Sequence, residues 1–296
     1  NIINILNSRD AKDLNWHKYG IEYVIDATGA FLTLEKAKMH NVDYLIMCAP
    51  PKDNTPTFTH NGNHEKYNGE NIISNASCTT NALVPVLKLL DERYKIISSN
   101  FTTIHASTAS QSTIDTNHLK NRTHRSIYNN IIPHSTGASK SVEVILPNLK
   151  GKIKGTSLRV PVMNVSVVDL NVTLEKETNL KEIIDFFKSN KIVLVNENKH
   201  LVSSDFNTTT CPSIIDEHGS LDLGGNQFKI LIWYDNEWSY SYKVIELLSY
   251  IINYNNKVNE KLSHPDFIEN IDYTNKNVVL RVDSVSYTHL RAHETS

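Results

Sequence analysis

The chain has 296 residues, 40% of them hydrophobic and 21% charged, enough apolar material for one large or two ordinary domains. Its 30 Lys and Arg against 32 Asp and Glu give a net charge of −2, so no global field draws it to nucleic acid or an anionic membrane, and any phosphate must be held locally. Three cysteines without a C-x-x-C pair argue against a disulfide framework and for a reducing compartment; with no run approaching a membrane span, the expected address is cytoplasmic.

In chain order, Ile21–Asp26 is a short apolar strand, followed by an Ala27-Thr28-Gly29 turn and a helical stretch over Leu34–His40. A second strand, Tyr44–Cys48, is ended by Ala49-Pro50-Pro51. This strand, helix, strand order is the signature of a right-handed parallel unit. A polar loop over 54–69 leads to a third strand at Asn71–Ser74. Three such strands suggest part of a doubly wound sheet. Leu83–Tyr94 has the apolar pattern of a buried helix, with Pro85 in its first turn. Ile96–His105 returns to strand, and Gln111–Tyr128, with His118, Lys120, Arg122, His124 and Arg125, reads as a long exposed loop. Segments 156–174 and 228–234 are rich in β-branched and aromatic residues, which predicts a mixed sheet in the second half. Lys243–Ile252 is a closing helix.

Cys78 falls between a strand and a helix, where unpaired backbone N–H groups and the positive end of a helix dipole favour thiolate over thiol. Ser77-Cys78-Thr79-Thr80-Asn81 is equally readable as a plain capping cluster. His105 ends a strand 27 residues on (105 − 78). Neighbouring parallel strands bring their carboxyl ends to one edge of a sheet, where an imidazole could meet the sulfur and move a proton.

The wording of these segments resembles the glyceraldehyde-3-phosphate dehydrogenase family. Ser74-Asn75-Ala76-Ser77-Cys78-Thr79-Thr80-Asn81 is similar to its active-site signature, and further blocks follow in family order: Asn63–Tyr67, Asn130–Ala138, Leu158–Pro161, Asn164–Leu170, Ser203–Asn207 and Trp233–Glu237. The resemblance covers about Tyr19 to Ile252. It implies that Cys78 attacks the aldehyde carbon of glyceraldehyde 3-phosphate and His105 accepts the hydroxyl proton. Hydride passes to NAD, with NADP left open, and inorganic phosphate attacks the resulting thioester to give 1,3-bisphosphoglycerate. It also implies that Thr108 and Arg159 hold the substrate phosphate, and that Ser77, Thr79, Thr136 and Gly137 receive the inorganic phosphate. Thr28, Gly29, Cys48, Asn236 and Tyr240 line the cofactor, no metal is involved, and the assembly is a homotetramer.

The resemblance also marks departures. The family's opening strand, glycine-rich turn and helix should precede Asn1. Cys48 stands where the family usually has serine, Ala82 where it often has a second cysteine, and Ser239 where it has glycine. Arg122 and Arg125 lie where the family carries arginines near anion sites and subunit contacts. The fold class expected is α/β, a partial Rossmann-type doubly wound domain plus an α+β catalytic domain with a mixed, largely antiparallel sheet. The boundaries are 1–77 for the remainder of the NAD-binding domain, completed by a helix over 237–254, then 78–236 for the catalytic domain and 255–296 for a tail. Residues 271–283 faintly resemble the first strand of phosphoglycerate kinase, and 286–296 resemble translated adapter sequence. Two alternatives stand beside the leading reading, an erythrose-4-phosphate dehydrogenase and a catalytically silent binding or scaffold fragment.

Overall fold

A computed structural model describes residues 5–8, 10–116, 122–257 and 278–282. In chain order its strands and helices are β1 (Tyr23–Ala27), α1 (Leu34–Ala37), β2 (Tyr44–Met47), β3 (Ile72–Ser74), α2 (Cys78–Tyr94), β4 (Ile96–His105), β5 (Ile132–His134), α3 (Ala138–Ile145), β6 (Ile153–Arg159), β7 (Ser166–Leu174), α4 (Leu180–Lys188), β8 (Leu194–Asn196), β9 (Ile214–Gly224), β10 (Gln227–Tyr234), α5 (Trp238–Lys257) and β11 (Val278–Val282). The described residues form two compact units, one drawn from 5–58, 65–76 and the segments from 246 onward, the other from 59–64 and 77–245.

The first unit holds a four-stranded sheet in the order β11-β1-β2-β3, parallel throughout. β1 and β2 are continuous apolar runs because both faces of a parallel sheet are covered; Val24, Ile25, Leu45, Ile46 and Met47 are all buried. Asp26, next to last in β1, shapes the turn that follows, its Oδ1 accepting from both the backbone N–H and the hydroxyl of Thr28, at 2.9 and 2.6 Å. Gly29 follows with φ +67°, a conformation that favours glycine. The sequence pattern ended the closing helix at 254 and set everything beyond in a tail. The helix instead continues to Lys257, and the backbone of 278–282 pairs in parallel with β1. The adapter-like stretch 286–296 and most of the kinase-like stretch lie outside the described residues, as do His118 and Lys120.

The second unit is built on a seven-stranded sheet in the order β5-β6-β4-β7-β10-β9-β8. β4 with β6 and β8 with β9 are parallel, and the other pairs are antiparallel, so the sheet is mixed and largely antiparallel. Alternation is strict along β7, where Ser166, Val168, Leu170, Val172 and Leu174 are buried and the residues between them are partly exposed. The inward face packs under α2, α3 and α4.

α2 begins at Cys78, five residues before the apolar periodicity suggests, so Pro85 sits well inside it rather than in its first turn. Ser77 caps it, its Oγ accepting from the Thr80 N–H at 3.2 Å. The polar run Thr79-Thr80-Asn81 hid the true start, yet all three residues are buried. The strands β8 and β9 were not evident from composition either. Ile214–Gly224 carries acids, a histidine and glycines among its apolar residues.

Candidate active site

Three elements of the second unit carry the chemistry. Cys78 opens α2, His105 closes β4, and Arg159 closes β6. The parallel register of β4 with β6 sets His105 directly beside Arg159. Cys78 Sγ lies 3.4 Å from His105 Nε2. On its other edge the imidazole places Nδ1 2.8 Å from the Ala106 carbonyl oxygen and 2.7 Å from Arg159 Nη1, which also donates to that carbonyl at 3.0 Å. Nδ1 cannot both donate to Ala106 O and accept from Arg159; with the proton on Nδ1 and given to Ala106 O, Nε2 is left to accept from the thiol and the guanidinium serves the carbonyl alone.

The electrostatics differ from the thiolate expected at a helix N-terminus. Burial pushes the Cys78 thiol above its ordinary value, against the pull of the Arg159 guanidinium and of hydrogen bonds from the Thr79 backbone and side chain. Burial, and then the same guanidinium, hold His105 down to about 4. Both directions favour the uncharged thiol and imidazole over the ion pair. Desolvation outweighs the helix dipole because Cys78 sits among buried neighbours, with Thr79 and Thr80 at 4% and 0% exposure.

Arg159 is half-buried, and its Nε is buried with no hydrogen-bond partner. A half-buried guanidinium with an unsatisfied donor suits an oxyanion. Behind the sulfur lies a residue that motif reasoning passed over. Tyr234 is fully buried, with its hydroxyl 3.0 Å from Thr79 Oγ1 and 2.8 Å from Thr103 Oγ1. A period-two count along β10 from Phe228 would have put Tyr234 on the inner face, where a phenol needs polar partners.

The remaining candidates fall on loops and caps. Ser77 is partly exposed at the cap of α2, whereas the Thr79 side chain is turned inward to Tyr234. Thr108 is exposed, its hydroxyl within 2.9 Å of Ser110 and 3.1 Å of Gln111. Thr136 Oγ1 accepts from the Ala138 N–H at 3.2 Å, and Gly137 is exposed at the start of α3 with open space where a Cβ would sit. Asn236 is buried and follows Asp235, whose carboxylate accepts from the Glu237, Trp238 and Thr208 N–H groups and so fixes the entry to α5. Tyr240 is partly exposed on that helix. Thr28, Gly29 and Cys48 sit at the ends of β1 and β2 in the first unit, Cys48 N–H donating to Asp26 O at 2.9 Å. Arg125 is ion-paired with Asp115 at 3.0 Å, both exposed, and Arg122 lies in a short 3-10 turn. Among the described residues there is no cluster of His, Cys, Asp or Glu that could hold a metal ion, and no helix long and apolar enough to cross a membrane.

The relatives of this chain define the class of protein, an oxidoreductase of the aldehyde dehydrogenase class. Comparison with known proteins makes the class specific. Residues 77–236 match the glyceraldehyde 3-phosphate dehydrogenase C-terminal domain. The chain is 43% identical to glyceraldehyde-3-phosphate dehydrogenase A of Escherichia coli K12 over 84% of its own length and 78% of the relative's. It is 44% identical to the cytosolic glyceraldehyde-3-phosphate dehydrogenase of Leishmania mexicana over 83% and 77%, and 43% identical to the Shimwellia blattae enzyme over 84% and 78%. The chain belongs to the glyceraldehyde-3-phosphate dehydrogenase family, and its function is the glycolytic oxidation and phosphorylation of glyceraldehyde 3-phosphate. A nicotinamide dinucleotide cofactor, a phosphorylated aldehyde and phosphate go with that membership.

Proposed function

We propose that Cys78 is the nucleophile and His105 the base of this reaction, that NAD is the cofactor, and that the working form is a cytoplasmic homotetramer. The observation that carries the chemical part is the 3.4 Å approach of Cys78 Sγ to His105 Nε2. From a neutral pair, attack on the aldehyde carbon and transfer of the thiol proton to Nε2 are coupled, so no isolated thiolate has to persist in a buried site. The imidazolium hands its proton to the forming hemithioacetal oxygen, and Nε2 takes it back as the carbon is oxidised. The bound nicotinamide supplies the hydride acceptor. The thioester left on Cys78 conserves the oxidation energy until an oxygen of inorganic phosphate displaces the sulfur.

Arg159 and Thr108 hold the substrate phosphate, a reading supported by the unsatisfied Nε donor of Arg159. Ser77, Thr79, Thr136 and Gly137 receive the inorganic phosphate, an assignment favoured by exposed Gly137 and its N–H at the start of α3. The donor set fits the cofactor in kind, since the Asn236 amide matches a carboxamide and Gly29, with open space where a Cβ would sit, leaves room in the turn after β1. Tyr240 and Cys48 are assigned to the cofactor by the family resemblance alone. The homotetramer is supported by a partly exposed sheet face, where Leu221 and Leu223, two apart on β9, are 49% and 50% exposed. Light scattering that returned a monomer would remove that part.

All three cysteines are partly exposed, so stoichiometric iodoacetate labelling reads reactivity rather than access. Cys78 is expected to react first, and preferential reaction at Cys48 or Cys211 would count against it. Turnover of glyceraldehyde 3-phosphate should exceed that of erythrose 4-phosphate and depend on inorganic phosphate.

A further inference from the structure

Ser166, the first residue of β7, is 2% exposed and lies between the base and Asn236. The Ala106 backbone N–H donates to its Oγ at 3.0 Å, and Oγ donates to Asn236 Oδ1 at 2.8 Å. A backbone N–H can only donate, so Oγ accepts there; its single proton then goes to Asn236 and must meet the amide oxygen, because the amide nitrogen has no acceptor to offer. The Tyr234 phenol, bonded to Thr79 and Thr103, is a second side-chain hydrogen-bond neighbour of Ser166. The backbone entering Ser166 is strained: Val165 has φ +65° and is buried against Phe206 and Ile214. A β-branched residue holds that conformation only where its surroundings over-determine it.

We propose that Ser166 is a positioning residue that locks the peptide after His105 and, at the same time, the orientation of the Asn236 amide. Asn236 then presents its Nδ2–H edge, not its oxygen, to the carboxamide oxygen of a bound nicotinamide. This rests on the reading of Asn236 as the carboxamide partner.

The test is a double-mutant cycle on cofactor dissociation constants of the full enzyme, measured by fluorescence titration without substrate, with thermal melts to establish folding. Loss of one preorganised hydrogen bond predicts about fivefold weaker binding in Ser166→Ala. Ser166→Cys, nearly isosteric, should show the same direction if the alanine variant folds poorly, and Ser166→Thr should restore binding to within about twofold of the original by keeping the hydroxyl. In an Asn236→Ala background, Ser166→Ala should add no further loss. Asn236→Ala should cost the same factor for nicotinamide and 3-acetylpyridine dinucleotides, which share the carbonyl oxygen. Unchanged binding in both Ser166→Ala and Ser166→Cys, additive effects in the double variant, or an Asn236→Ala penalty that disappears with the acetylpyridine cofactor would overturn the role of Ser166. Unchanged binding in Asn236→Ala with both cofactors would instead remove the reading of Asn236 itself.

Discussion

Arg159→Met keeps the length of the side chain and removes its charge, which makes it the sharpest probe of the neutral thiol and imidazole. Arg159 Nη1 is 2.7 Å from His105 Nδ1, which puts the two charge centres about 5 Å apart. At an effective dielectric near 20 such charges interact by about 3 kcal/mol, or roughly 2 pK units. Because Arg159 is only half-buried, solvent screening brings the expected shift nearer to about 1 unit. Both shifts have the same sign. Removing a cation stops disfavouring the imidazolium, so His105 should rise from about 4; it also stops favouring the thiolate, so Cys78 should rise as well. Histidine NMR titration follows the first, and the pH dependence of iodoacetamide alkylation follows the second. An alkylation profile that stays in place or moves to lower pH in Arg159→Met would refute the reasoning.

His105 also links pH to stability. Its folded value of about 4 lies below the 6.5 of an ordinary imidazole, so the unfolded chain binds the extra proton first; stability is full above about pH 6.5 and falls as pH drops toward 4, by up to about 3 kcal/mol. Urea titrations at pH 7 and pH 4.5 that differ less for His105→Gln than for the unaltered chain would agree with this. Tyr234→Phe leaves Thr79 and Thr103 without their shared phenol partner and should cost about 1–3 kcal/mol of unfolding free energy, read by the same titration. Gly155→Ala should cost about 1–3 kcal/mol through overpacking, because a Cβ there would fall 2.2 Å from Phe101 Cζ. A melting temperature unchanged in that variant would contradict the packing.

Much of this was legible in the sequence for physical reasons. The strands of the first unit are unbroken apolar runs ended by turn-formers such as Thr28-Gly29 and Pro50-Pro51, and both faces of a parallel sheet demand that pattern. Cys78 and His105 stood out because a small polar cap and a strand end are where reactive groups gather. What stayed hidden was set by tertiary context. No local pattern reports that Thr79 and Thr103 turn inward to a phenol 131 residues beyond Thr103, or that desolvation of a sulfur outweighs the dipole of the helix it begins. Ser166 lay in plain view within a β-rich run, yet its role depends on a strained Val165 and on Asn236, 70 residues away.

The arrangement of the site follows from strand register. On β4 the inward residues are Phe101, Thr103 and His105, and β6 runs parallel beside it with Gly155 opposite Phe101 and Arg159 opposite His105. Since side chains alternate strictly, a slip of one residue between these strands would send Arg159 to the other face and take the guanidinium from the imidazole. Gly155 is the position that guards against this. The Phe101 ring lies across the place where its side chain would be, so in a slipped register the ring would meet Lys154 or Thr156, which have side chains where Gly155 has none. The glycine four residues before Arg159 therefore serves catalysis without touching the substrate, by making one alignment of the two strands the one that packs.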